Sequence, residues 1–170
     1  GRLPITFPKS LSQLPDYSDY SMDNRTYKFI DYDPMYPFGF GLSYSKFSYS
    51  EIIVDKSKIK IGESIQVSID IKNVSNNAGD EVIQLYITDL ESTFRVPHSK
   101  LIGIKKISLL PGETKNIKFL ISSAMMSNVN ENGKLSLEPG NYKITIGPSS
   151  PWKESESYGQ SFSYSYFSLH

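Results

Sequence analysis

The sequence predicts an all-β fold, a two-layered sandwich of about seven strands preceded by an extended segment. Three observations carry this. From residue 47 onward, large apolar residues recur at every second position in run after run, the period of a half-buried strand. Clusters of Gly, Pro, Asn and Asp separate those runs. Before them, Pro4, Pro8, Pro15 and Pro34 interrupt residues 1–35, where no helical stripe appears.

Phe47 and Tyr49 open the first strand, and the phase changes near Glu51 before Ile52 and Val54 continue it, which predicts a bulge. Lys60-Ile61-Gly62-Glu63 is a turn. Ile65, Val67, Ile69 and Ile71 alternate with Gln66, Ser68, Asp70 and Lys72 in the second strand. After the loop Asn76–Asp80 comes a third, with Ile83, Leu85 and Ile87 inward and Gln84 and Tyr86 opposite. Residues 89–99 form a polar loop, and Leu101–Leu109 is the fourth strand. Pro111-Gly112 turns the chain into Ile117, Phe119 and Ile121. Asn132-Gly133 suits a tight hairpin, because both residues tolerate positive φ. Pro139-Gly140 precedes Tyr142, Ile144 and Ile146, and Phe162, Tyr164 and Tyr166 make the last strand. An odd strand count and uneven loops favour an immunoglobulin-like β-sandwich over a barrel.

The leading segment is organised around Tyr36-Pro37-Phe38-Gly39-Phe40-Gly41-Leu42-Ser43-Tyr44. In extended backbone Phe38, Phe40, Leu42 and Tyr44 share one side, and Gly39 and Gly41 leave the other side bare for a close approach. The stretch is expected to dock on the sandwich through its Phe38/Phe40 face. Leu3, Ile5 and Phe7 alternate as a short strand that pairs outside the chain.

The chain has 170 residues, with Lys+Arg and Asp+Glu balanced at 18 each. That balance offers no basic field for nucleic acid. The absence of cysteine excludes disulfides, thiolate catalysis and cysteine zinc sites. No apolar run approaches the ~20 residues of a membrane span. A start at Gly1-Arg2-Leu3-Pro4 reads as a piece of a longer protein. Asn24-Arg25-Thr26 and Asn73-Val74-Ser75 fit the glycosylation sequon.

Several stretches in order resemble glycoside hydrolase family 3. They are Gly1–Phe7, Leu14-Pro15, Asp19-Tyr20-Ser21-Met22, Arg25–Phe29 and Tyr36–Tyr44. Ala78–Tyr86 and Leu109–Thr114 are similar to that family's fibronectin type III-like domain. Asp19–Met22 ahead of Arg25–Tyr27, and Asn130–Lys134 ahead of Leu137–Gly140, look most like the xylan β-xylosidase branch. Ile104 stands where the family usually carries an aromatic, which argues against a stacking role there.

The resemblance implies residues 1–44 as the end of an α/β sandwich domain with its linker, and residues 45–170 as the fibronectin type III-like domain. It implies a retaining β-glycosidase, a β-xylosidase or β-glucosidase, whose nucleophilic aspartate and acid/base glutamate precede Gly1. The partners are then the preceding catalytic domains and an oligosaccharide substrate, in a secreted or periplasmic protein. The fragment itself is inert and acts as a buttress. The rival reading is a carbohydrate-binding module.

No catalytic, cofactor-binding or metal-binding residue is assigned within the chain. Asp16, Asp19, Asp23, Asp31 and Asp33 are the local carboxylates, and nothing in their spacing enforces the ~5–5.5 Å pair of a retaining glycosidase. Asp31 and Asp33 do not match a calcium loop. His98 and His170 lack zinc-ligand spacing. Trp152, Tyr158, Tyr164 and Tyr166 are candidates for stacking on sugar, against a structural role for each. Arg25 is a candidate for the substrate entrance, against packing between domains.

Overall fold

The computed structural model describes residues 1–152 and 159–170. Eleven strands form in chain order among them. They are β1 (Phe47–Tyr49), β2 (Ile53–Val54), β3 (Lys58–Ile59), β4 (Ile65–Asn73), β5 (Gly79–Asp89), β6 (Lys100–Leu109), β7 (Thr114–Ile121), β8 (Asn128–Val129), β9 (Leu135–Ser136), β10 (Gly140–Gly147) and β11 (Ser163–Leu169). One α-helical turn, Ser123–Met126, follows β7. No described helix is long and apolar enough to cross a membrane.

In the first sheet β4 lies between β7 on one side and β1 and β2 on the other. Its inward residues Ile65, Val67 and Ile69 stand opposite Ile121, Phe119 and Ile117 of β7, so these three apolar rungs each meet another. The first predicted strand is broken into β1 and β2 at Ser50–Ile52, the place of the expected bulge. The second sheet runs β3-β11-β10-β5-β6. Among the described residues no ladder joins one sheet to the other, so the layers stay open as a sandwich. Between them pack the inward residues of β4, β5, β7, β10 and β11. The predicted Asn132-Gly133 hairpin is present, joining β8 to β9 with Gly133 at φ 71°.

Two elements depart from expectation. The last strand runs in the other phase: Phe167 and Leu169 face the core at 2% and 1% exposure, while Tyr164 and Tyr166 point outward. Hydroxyl-bearing rings keep contact with water, and the purely apolar side chains take the interior. The short β3 was not foreseen. It crosses to the second sheet and pairs in parallel with the end of β11, Ile59 opposite Leu169.

Asn73 closes the end of β4. It is fully buried, its amide donates to the carbonyls of Asn77 and Leu109 at 2.8 and 3.1 Å, and its oxygen accepts from the N–H and hydroxyl of Ser75. The sequon at Asn73 is therefore closed to glycosylation in the folded chain. Asn73→Ala is expected to cost about 2 kcal/mol, because buried carbonyls lose their donor. Thermal melting checks this, and a loss below about 0.5 kcal/mol refutes it.

Candidate functional site

The chemistry of this molecule gathers where residues 1–44 lie on the outer face of the second sheet. β5 shows why the segment is there. Its inward residues Ile83, Leu85 and Ile87 are buried, as expected, but Gln84 and Tyr86 on the opposite face are buried too. A half-buried strand has one dry face; β5 has two.

At the start of β5 Glu81 keeps the inward phase of Ile83, Leu85 and Ile87, and there Nη2 of Arg2 donates to both of its carboxylate oxygens, at 2.7 and 2.8 Å. The Tyr49 hydroxyl donates to the same carboxylate at 2.8 Å. Glu81 is 3% exposed. Burial pushes its carboxyl above the ordinary glutamate value of 4.5, against the opposing pull of Arg2 and Tyr49. Burial and the neighbouring Glu81 charge hold the Tyr49 phenol well above its ordinary value, so it stays a donor. Because the folded carboxyl keeps its proton to higher pH than the unfolded one, its contribution to stability falls as pH rises through the raised value. Glu81→Gln cannot titrate. The stability of the natural chain relative to that variant is expected to decline as pH rises from the ordinary glutamate value of 4.5, read by melting at each pH. A rise instead refutes the assignment.

In the middle of the seam the Gln84 amide donates to the Pro148 and Gly39 carbonyls at 2.7 and 3.4 Å, and the Tyr86 hydroxyl donates to Gln84 Oε1 at 2.5 Å. Phe38 stacks on Tyr27 with centroids 4.6 Å apart, and Tyr27 meets Tyr86 edge-on at 6.0 Å. The Ser150 N–H donates to the Phe38 carbonyl and the His98 N–H to the Lys28 carbonyl, each at 2.8 Å. The expected docking is present at Phe38, although the stretch is not extended, and the Phe40 ring stacks on Tyr36 of its own segment at 4.9 Å. Pro37–Phe40 is a turn closed by the Phe40 N–H on the Pro37 carbonyl, with Gly39 at φ +80°. The turn separates the four aromatic and aliphatic groups: Phe40 is buried, whereas Leu42 and Tyr44 are 87% and 99% exposed. The bare glycine side does admit close neighbours. A Cβ on Gly39 would collide with the Gln84 amide, and one on Gly41 with the Gly1 carbonyl oxygen. Leu3 and Phe7 pair with Phe40, Gly39 and Tyr36, inside the chain rather than outside it.

The five aspartates are dispersed. Asp16 and Asp19 accept from Ser18 and Ser21 in tight local turns, which lowers both carboxyls. Asp23 pairs with Arg95, Asp31 lies 3.1 Å from His98 Nε2, and Asp33 accepts from the Trp152 indole at 2.8 Å. Asp31 and Asp33 therefore face different partners, and among the described residues no three His, Asp or Glu side chains gather as metal ligands. Arg25 donates to the Asp16 and Asp19 carbonyls, tying its own loop together. Ile104 is an exposed side chain on β6, and His170 is exposed at the end of the chain. Tyr158 lies outside the described residues.

Sequence reading missed the Arg2–Glu81–Tyr49 cluster. Its one local signal was a carboxylate, Glu81, in the same inward phase as Ile83, Leu85 and Ile87.

Residues 81–150 match the fibronectin type III-like domain. The xylan 1,4-β-xylosidase of Xylanibacter ruminicola is 38% identical over 152 residues, covering 88% of this chain and 17% of that protein. The periplasmic β-glucosidase of Salmonella typhimurium is 32% identical over 159 residues, covering 86% and 21%. The solved structure of a β-glucosidase from Erythrobacter marinus superposes with a TM-score of 0.81 at 32% identity, over 100% of this chain and 22% of that one. The chain belongs to the fibronectin type III-like region of glycoside hydrolase family 3. It spans about a fifth of the length of the curated family 3 relatives it matches. Those relatives include β-glucosidases and β-xylosidases alike, and one of them is periplasmic.

Proposed function

We propose that the chain is the non-catalytic C-terminal part of a retaining β-glycosidase, exported to the periplasm or beyond. In this reading the sandwich holds residues 1–44 as a rigid footing for catalytic domains earlier in the same protein. One observation carries it: nearly half of the large apolar side chains exposed among the described residues belong to residues 1–44, about a quarter of the chain. Such a concentration on one segment marks a face that another body covers. The segment is nevertheless firmly seated from beneath, so it presents that face in a fixed orientation. The two catalytic carboxylates then lie upstream, where one attacks the anomeric carbon and the other protonates the leaving oxygen. The Asp19–Met22 and Asn130–Lys134 motifs favour a β-xylosidase over a β-glucosidase.

The test compares this chain with the longer protein. Leu42→Ser with Tyr44→Ser is expected to leave melting of the 170-residue chain unchanged and to lower that of the longer protein by several degrees. Equal effects on both sink the footing. Nitrophenyl xyloside and glucoside hydrolysis is measured alongside. The longer protein is expected to prefer the xyloside and the chain alone to cleave neither.

A further inference from the structure

Beside the seam, the outer face of the second sheet carries a pocket of about 560 Å³. Its floor is built by Lys143 and Thr145 of β10 and Tyr164 of β11, and Asp31, His98 and Trp152 stand around it. The volume lies in the range of small-molecule sites. The Lys143 ammonium lies 4.2 Å from the Tyr164 ring centroid, and the Asp33 contact anchors the Trp152 indole edge. The aromatic groups at the pocket are thus held by neighbours.

We propose that this pocket binds a β-linked mono- or disaccharide without hydrolysing it. A pyranose presents an apolar C–H face and a rim of hydroxyls that both donate and accept. The pocket offers the matching set: aromatic surface on Trp152 and Tyr164, a carboxylate acceptor on Asp31, an ammonium donor on Lys143, and the Thr145 hydroxyl, which does both. The opposite charges of Asp31 and Lys143 disfavour a phosphate or other strong anion. The polar groups disfavour a purely apolar ligand, which would leave them dry and unpaired. The site takes the sugar class from its own chemistry; only the β-linkage rests on the glycosidase reading.

Trp152 is the one tryptophan in the sequence, so its fluorescence reports this pocket alone. The 170-residue chain is titrated with xylobiose, cellobiose and maltose while Trp152 emission is followed. Expected is a saturable change with xylobiose or cellobiose at millimolar concentration or below. Lys143→Ala and Thr145→Val are each expected to weaken binding at least about fivefold while the melting temperature stays put. Lys143 is the decisive variant if Thr145→Val unfolds. No saturable change up to about 50 mM of either β-linked sugar overturns the proposal, as does unaltered binding in the Lys143 variant. Equal affinity for maltose overturns the β-linked assignment. Hydrolysis by the longer protein is scored separately. An inactive longer protein with a saturable pocket refutes the glycosidase reading alone, and an active one without saturable emission refutes the pocket alone.

Discussion

Arg2→Ala is expected to destabilise the chain by about 3 kcal/mol, the scale for removing one partner of a buried ion pair. For a chain of this length that is a fall of roughly 6–12 °C in melting temperature. The loss arises because Glu81 stays in place, 3% exposed, with only the Tyr49 hydroxyl left to answer its charge. The expected rescue is specific. Adding Glu81→Gln to Arg2→Ala restores part of the loss, since a neutral amide costs less to bury than an orphaned carboxylate. Arg25→Ala, which touches only loop carbonyls at the surface, is expected to cost under about 1 kcal/mol. Melting of the three variants decides the matter. If Arg2→Ala and Arg25→Ala cost the same, or if Glu81→Gln deepens the Arg2→Ala loss, the pair does not hold the seam.

Gly39→Ala is expected to cost about 3 kcal/mol by a different route. Its φ of +80° penalises any side chain, by roughly 1–2 kcal/mol. The new methyl also strikes the Gln84 amide and breaks a buried network, for a further loss of roughly 1–3 kcal/mol. Gly112→Ala separates the two contributions. Gly112 has φ +75° in the turn after β6, yet a Cβ there meets nothing within 4 Å. Its variant should show the backbone penalty alone. A Gly39 variant no less stable than the Gly112 variant would mean that Gln84 moves aside at no cost.

The strands that could be read directly are those with one wet face. β4 shows its fold in its spelling, Ile65 to Ile71 alternating with polar residues, because only one side had to be apolar. β11 misled because aromatic residues occupy both phases, and the hydroxyl of tyrosine, not its ring, decides which phase faces water. β3 is two residues long and leaves no period to detect. The turn at Pro37–Phe40 hid inside an alternating stretch because glycine serves equally as a spacer in a strand and as a corner. The contacts of the seam were illegible for a plainer reason. Arg2 and Glu81 stand 79 residues apart, and no local pattern marks one charge as the partner of another. The aspartates between 16 and 33 could be set aside as catalytic candidates from their spacing, but where Asp23, Asp31 and Asp33 go depends on Arg95, His98 and Trp152, all distant in sequence.

Asp33 and Trp152 are 119 residues apart. On a ribosome adding roughly 5–20 residues per second, the leading segment emerges on the order of ten seconds before the last part of its seat is made. Until β5 is made, part-way through that interval, Arg2 has no Glu81 to meet and the rings of Tyr27 and Phe38 have no Tyr86 beneath them. Whatever holds those groups apart from other nascent chains in that window sets the yield of the finished protein, and slow translation through β10 prolongs the risk.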